Sequence, residues 1–119
     1  MIVGAVTGRI DHPEVVVCGR YRGRDLEIVG RTVPLNPAQA DEQAAVLKPA
    51  GDRHPWPDEI SAGYWGRDAK KVPIVKVRPL VVAEVAADAA MQGDHYRHPL
   101  RFHRVRGDLT PNDVDRLPV

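Results

Sequence analysis

The chain has 119 residues, 43% hydrophobic and 28% charged, with a formal net charge of +1. That is ample for one domain with a single core, and too balanced for bulk charge to name a partner. A single cysteine, Cys18, excludes an internal disulfide and fits a reducing cytosol, and no apolar run approaches the ~20 residues that span a bilayer.

Aromatic residues make up only 5% of the chain, so the core rests on Val, Leu, Ile and Ala, which suits strands. Ile2-Val3-Gly4-Ala5-Val6 reads as a first strand and Glu14 to Tyr21 as a second. Arg22-Gly23-Arg24 supplies a turn, and the alternating Asp25-Leu26-Glu27-Ile28-Val29 returns as the other arm of a hairpin. A helix of about three turns is expected after Asn36-Pro37-Ala38-Gln39, where Asn36 caps, Pro37 fits the first helical position and Gln39 completes a capping box. Pro49 and Gly51 are expected to stop it.

Residues 49–71 are rich in Pro, Gly and charge and read as a long surface loop, with at most one helical turn near Asp58. Val72 to Ala87 holds two strand-like runs meeting at Arg78-Pro79. Leu100 to Arg106 reads as the final strand, and Thr110-Pro111-Asn112-Asp113 as a terminal turn. The sum is a mainly β chain of about five strands with one intercalated helix. A small OB-fold barrel accommodates that pattern, although periodicity alone does not separate it from a sandwich or an SH3-like barrel.

Charge is unevenly spread. Residues 65–106 carry nine Arg or Lys against four Asp or Glu, and the rest is neutral to acidic. Arg97, Arg101, Arg104 and Arg106 fall within ten residues, interleaved with Leu100, Phe102 and Val105. On an extended strand Arg104 and Arg106 share one face, with Arg101 and His103 on the other. Guanidinium forks hold phosphate oxygens bidentately, so such a pair is a candidate phosphate clamp, against the plainer reading of a solvated face.

Other side chains have structural readings. His95, His98 and His103 match no common zinc spacing, so no metal is expected. Cys18 lies in a valine run and reads as core rather than reactive thiol. Tyr64 and Trp65, flanked by Gly63 and Gly66, read as pins for the long loop, with base stacking as the other reading.

Arg101 to Asp108 resembles the last motif of ATP-dependent DNA ligases, an Arg-x-Arg-x-Asp pattern. Leu80 to Val85, Val29-Gly30-Arg31-Thr32 and Ile2-Val3-Gly4-Ala5 are similar to further segments of the bacterial members' C-terminal OB domain, in the same order along residues 2–114. The resemblance implies a single OB-fold domain over residues 1–119, a five-stranded Greek-key barrel with one helix and the long loop. It implies that Arg104, Arg106 and Asp108 orient nucleotide phosphates, and that Arg97, Arg101, Lys70, Lys71 and Lys76 meet the DNA backbone. Leu109 stands where the family often has a lysine, which implies a weakened nucleotide contact.

The family's Lys-x-Asp-Gly nucleophile motif does not occur in this chain, whose lysines are Lys48, Lys70, Lys71 and Lys76. The resemblance therefore implies a lid without catalytic residues, inactive alone, as an excised domain, a truncated product or half of a split ligase. ATP and magnesium would act only with a partner adenylation domain, and nicked duplex DNA would be the substrate in replication, recombination or repair. The expected setting is cytoplasmic and nucleoid-associated, away from membranes. The alternatives are a stand-alone nucleic-acid-binding OB module and an inactive remnant.

Overall fold

The computed structural model describes residues 1–61, 71–87, 91–92, 95–96 and 99–118. In chain order the elements are β1 (Ile2–Arg9), β2 (His12–Arg22), β3 (Asp25–Arg31), α1 (Pro37–Ala44), β4 (Glu59–Ser61) and β5 (Lys71–Pro73). They continue with β6 (Val75–Lys76), β7 (Ala83–Ala86), β8 (Met91–Gln92), β9 (His95–Tyr96), β10 (Arg101–Val105) and a 3-10 turn at Pro111–Asp113.

The first three strands form an antiparallel meander, which includes the hairpin expected between β2 and the alternating β3. Gly23, at φ 60°, opens the two-residue turn between Arg22 and Asp25, a conformation that favours glycine in tight hairpins. β1 is bulged between Val3 and Ala5. The extra residue shifts the alternation, so Val3 and Val6 enter one apolar cluster while Ile2 and Ala5 enter the other. A second irregularity sets Gly8, at φ 81°, against Pro13, which has no N–H to give the ladder.

Helix α1 starts as predicted. Asn36 Oδ1 accepts from the Gln39 N–H at 2.8 Å, and Gln39 Oε1 accepts from the Asn36 N–H at 3.0 Å. It ends at Ala44, earlier than Pro49 and Gly51 suggest, and the N–H groups of Val46 and Leu47 turn back on the Gln43 carbonyl. The helix covers the outer edge of β10: Gln39 Nε2 donates to the Phe102 carbonyl at 3.0 Å, and Glu42 Oε1 accepts from the Val105 N–H at 2.8 Å. These bonds satisfy edge groups that would otherwise invite another strand.

The expectation of a five-stranded Greek-key barrel is corrected. Pairing divides into a four-stranded sheet, β3-β2-β1-β6, and three two-stranded sheets, β10-β7, β4-β5 and β8-β9. Isolated bridges at Ile2–Val82 and Thr32–Leu100 stitch β1 and the end of β3 to the β7–β10 pair without a continuous closed ladder. Prolines help explain the fragmentation, since Pro73 ends β5, Pro79 and Pro99 lie shortly before the β7 and β10 strands, and none of them offers an N–H. The result is a small mixed α/β domain of separate open sheets, with one α-helix among the described residues.

One buried cluster, with Val3, Val16, Cys18, Val29, Leu100 and Phe102, fills the space between the main sheet, the β7–β10 pair and α1. The other gathers Ile2, Val17, Leu26, Ile60 and Ile74 around Trp56, which is only 5% exposed. Residues 49–61, the described first part of the long loop, are thus anchored at Trp56 and Ile60. A Cβ on Gly4 would lie 2.3 Å from the Trp56 ring and one on Gly19 2.9 Å from it, so these glycines open a seat for the indole. The ring N–H donates to the Leu26 carbonyl at 2.8 Å. The helical turn considered near Asp58 is instead the entry to β4.

Candidate functional site

The arginine-rich terminal strand converges on one carboxylate. Glu84, on the paired strand β7, accepts from Arg104 Nη2 at 3.4 Å and Arg106 Nη1 at 3.1 Å, and His103 Nδ1 lies 3.7 Å from its other oxygen. Arg106 also grips Asp108 with Nε at 2.9 Å and Nη2 at 2.8 Å. The bulge between Phe102 and Arg104 breaks strict alternation, which is why His103 meets the same partner as Arg104 and Arg106.

The electrostatics follow the geometry. The hydrogen bond and charge of Asp108, then Glu84, raise the Arg106 pKa. Arg106 in turn holds the Asp108 carboxyl down to about 2. Burial works to raise Glu84, but Arg104 and then Arg106 overcome it and hold that carboxyl below its ordinary value. Arg104 and Arg106 therefore meet at Glu84, and Asp108 joins them through Arg106, so the Arg106 fork is already engaged by carboxylates.

Of the residues expected at the DNA backbone, Lys71, Lys76 and Arg101 are described, and they lie on three different strands, β5, β6 and β10. Lys76 Nζ lies 2.8 Å from Asp58 and donates to the Trp56 carbonyl at 3.0 Å, which ties down the long loop. Arg101 and Lys71 are exposed on separate strands. Lys70, Arg97, His98, Tyr64 and Trp65 lie outside the described residues. Among the described residues no group of three or more His, Cys, Asp or Glu side chains is placed to hold a metal ion.

A different site is built where the β2–β3 turn, the long loop, the segment before β7 and the C-terminal segment meet. A cavity of about 540 Å³ is lined by Tyr21, Arg24, Arg53, His54 and Arg78, with Asp52 the one acid in its wall. A second chamber of about 480 Å³ shares Tyr21, Arg24 and Pro79 with the first and adds Leu80, Pro111 and Arg116. The two chambers share a wall at those three residues and together make the candidate groove.

Each wall has a local reason. The tight turn at Gly23 projects Arg24, and the buried Trp56 fixes the loop that carries Arg53 and His54. The Arg78 N–H donates to the Lys48 carbonyl at 2.9 Å, holding that segment against the loop. Arg116 Nη1 donates to the Gly23 carbonyl at 2.6 Å, with its guanidinium 5.7 Å from the Tyr21 ring centroid. Among the described residues no carboxylate pairs with Arg24, Arg53 or Arg78, and all three are exposed. His54 Nδ1 accepts from the Trp56 N–H at 3.2 Å; burial, then the charge of Lys76, lowers its pKa, so the arginines supply the positive charge at neutral pH.

These residues come from distant parts of the chain. The doublet Arg22-Gly23-Arg24 is the one linear hint, and it reads as a turn. Nothing local marks Arg53, Arg78 or Arg116 as neighbours.

No family model, curated protein or solved structure matches this chain. The ligase resemblance thus has no relative to support it, and the open sheets remove the barrel that it implied. Membership of the DNA ligases, the lid role, the ligase activity of a fuller enzyme and the OB-module alternative are all corrected on these findings.

Proposed function

We propose that this domain binds the phosphate backbone of a nucleic acid along the Arg24–Arg53–Arg78–Arg116 groove. The observation that carries the reading is charge in a concave wall: four arginines line two adjoining chambers against one carboxylate residue, Asp52. Concave walls of low dielectric focus such a field, and guanidiniums without carboxylate partners keep their forks for phosphate oxygens. The engaged Arg106 would first have to surrender Asp108. The expected setting is the cytoplasm, in contact with the nucleoid.

Fluorescence anisotropy with a labelled duplex oligonucleotide, repeated over a salt series, tests the reading. Each phosphate neutralised on a duplex contributes about −0.9 to the slope of log affinity against log salt, so four contacts give a slope near about −3.6. Arg24→Ala with Arg78→Ala is expected to flatten the slope by about 2, while Arg104→Ala leaves it unchanged. Absence of binding at low salt, or an unchanged slope in the double variant, would overturn the proposal.

A further inference from the structure

The two chambers of the groove differ in chemistry. The first holds Arg53, Arg78 and His54. The second is walled by Tyr21, Pro79, Leu80 and Pro111, with Arg24 and Arg116 at its sides and no acid in its lining. Leu80 is 63% exposed, against 40% for Val33 and Val46 and 36% for Val75, the other exposed large hydrophobic residues among those described. An apolar side chain left in water beside two prolines contributes nothing to the core. It is suited to cover an apolar face of a ligand that enters the chamber.

We infer that the groove prefers an unpaired nucleic-acid strand and seats one unstacked base in the Tyr21–Pro79–Leu80–Pro111 chamber. This rests on the backbone reading above. A base has two apolar faces and no charge, and in an unpaired strand it lies one sugar away from the phosphate that the neighbouring arginines attract. Aromatic and guanidinium planes both stack on bases, and the Arg116–Tyr21 contact holds one of each at the chamber. In a duplex the bases are stacked within the helix. A duplex therefore meets the arginines but leaves Leu80 and the prolines facing sugar and phosphate, with no apolar partner.

The experiment measures affinity at one salt concentration for a single-stranded oligonucleotide, the same strand with abasic sites, and a duplex. The wild-type chain and Leu80→Ser are compared, and far-UV circular dichroism checks that the exposed substitution leaves the fold intact. The intact strand is expected to bind roughly tenfold more tightly than the abasic strand, in the range set by one stacked base. Leu80→Ser is expected to remove most of that advantage and leave duplex affinity unchanged.

Equal affinity for all three probes overturns the inference and leaves the backbone reading standing. A base-dependent preference that Leu80→Ser does not alter overturns the placement of the base in this chamber. Failure of every oligonucleotide to bind, with displacement of a dye from the groove by an acidic peptide instead, overturns both readings.

Discussion

Replacing Gly4 with alanine places a methyl carbon inside the Trp56 ring. The added Cβ would lie 2.3 Å from Cη2 and 2.4 Å from Cζ3, against the 3.5–4.0 Å at which carbons pack. The indole has little freedom to retreat, because its N–H is bonded to the Leu26 carbonyl and Gly19 on the neighbouring strand also lies close against the ring. Overpacking of this kind costs about 1–3 kcal/mol. Trp56→Ala removes the ring and its hydrogen bond for about 3–5 kcal/mol, bearable for a domain stable by about 5–15 kcal/mol.

The informative variant is the double one. With the indole gone the new methyl has room, so Gly4→Ala should cost little in the Trp56→Ala background. The double variant is then expected to lose about 3–5 kcal/mol, close to Trp56→Ala alone, with a coupling of about 1–3 kcal/mol. Urea unfolding followed by far-UV circular dichroism measures all four corners of the cycle. Additivity within about 0.5 kcal/mol would refute the seat, because residues that do not touch add to within that margin.

Two further outcomes follow from the electrostatics. The Asp108 carboxyl, held at about 2 by Arg106, stabilises the fold above its unfolded pKa, and that contribution is lost as pH falls through the folded value. Asp108→Asn is therefore expected to lower Tm at pH 7, with the gap to the wild type closing as the pH falls from about 4 to about 2; a gap constant with pH would refute the pairing. Burial pushes the Cys18 thiol up to about 12, so a thiol reagent at pH 8 is expected to label it only after unfolding in urea. Rapid labelling of the native chain would contradict its burial.

Local chemistry was legible where it acts over a few residues. The capping box at Asn36 and Gln39, the Gly23 turn, the first three strands and the burial of Cys18 all follow from neighbours in sequence. The long loop was not legible in full. Glu59-Ile60-Ser61 is too short to show alternation, and it becomes a strand because Lys71-Val72-Pro73 arrives beside it. His54-Pro55-Trp56-Pro57 looks like exposed punctuation, yet Trp56 is core because two glycines far away make space for its ring.

The candidate site shows the same division more sharply. Four arginines within ten residues made the terminal strand look like the phosphate site, whereas pairing with β7 brings Glu84 to Arg104 and Arg106. The groove draws Arg24, Arg53, Arg78 and Arg116 from four separate segments. By itself, the sequence determined where the meander turns, where the helix begins and which side chains avoid water, because propensity, capping and burial are short-range preferences. Tertiary structure alone decided that the sheets stay open, which arginines keep carboxylate partners and which line a cavity, because these depend on long-range pairing and on distances that no local pattern encodes.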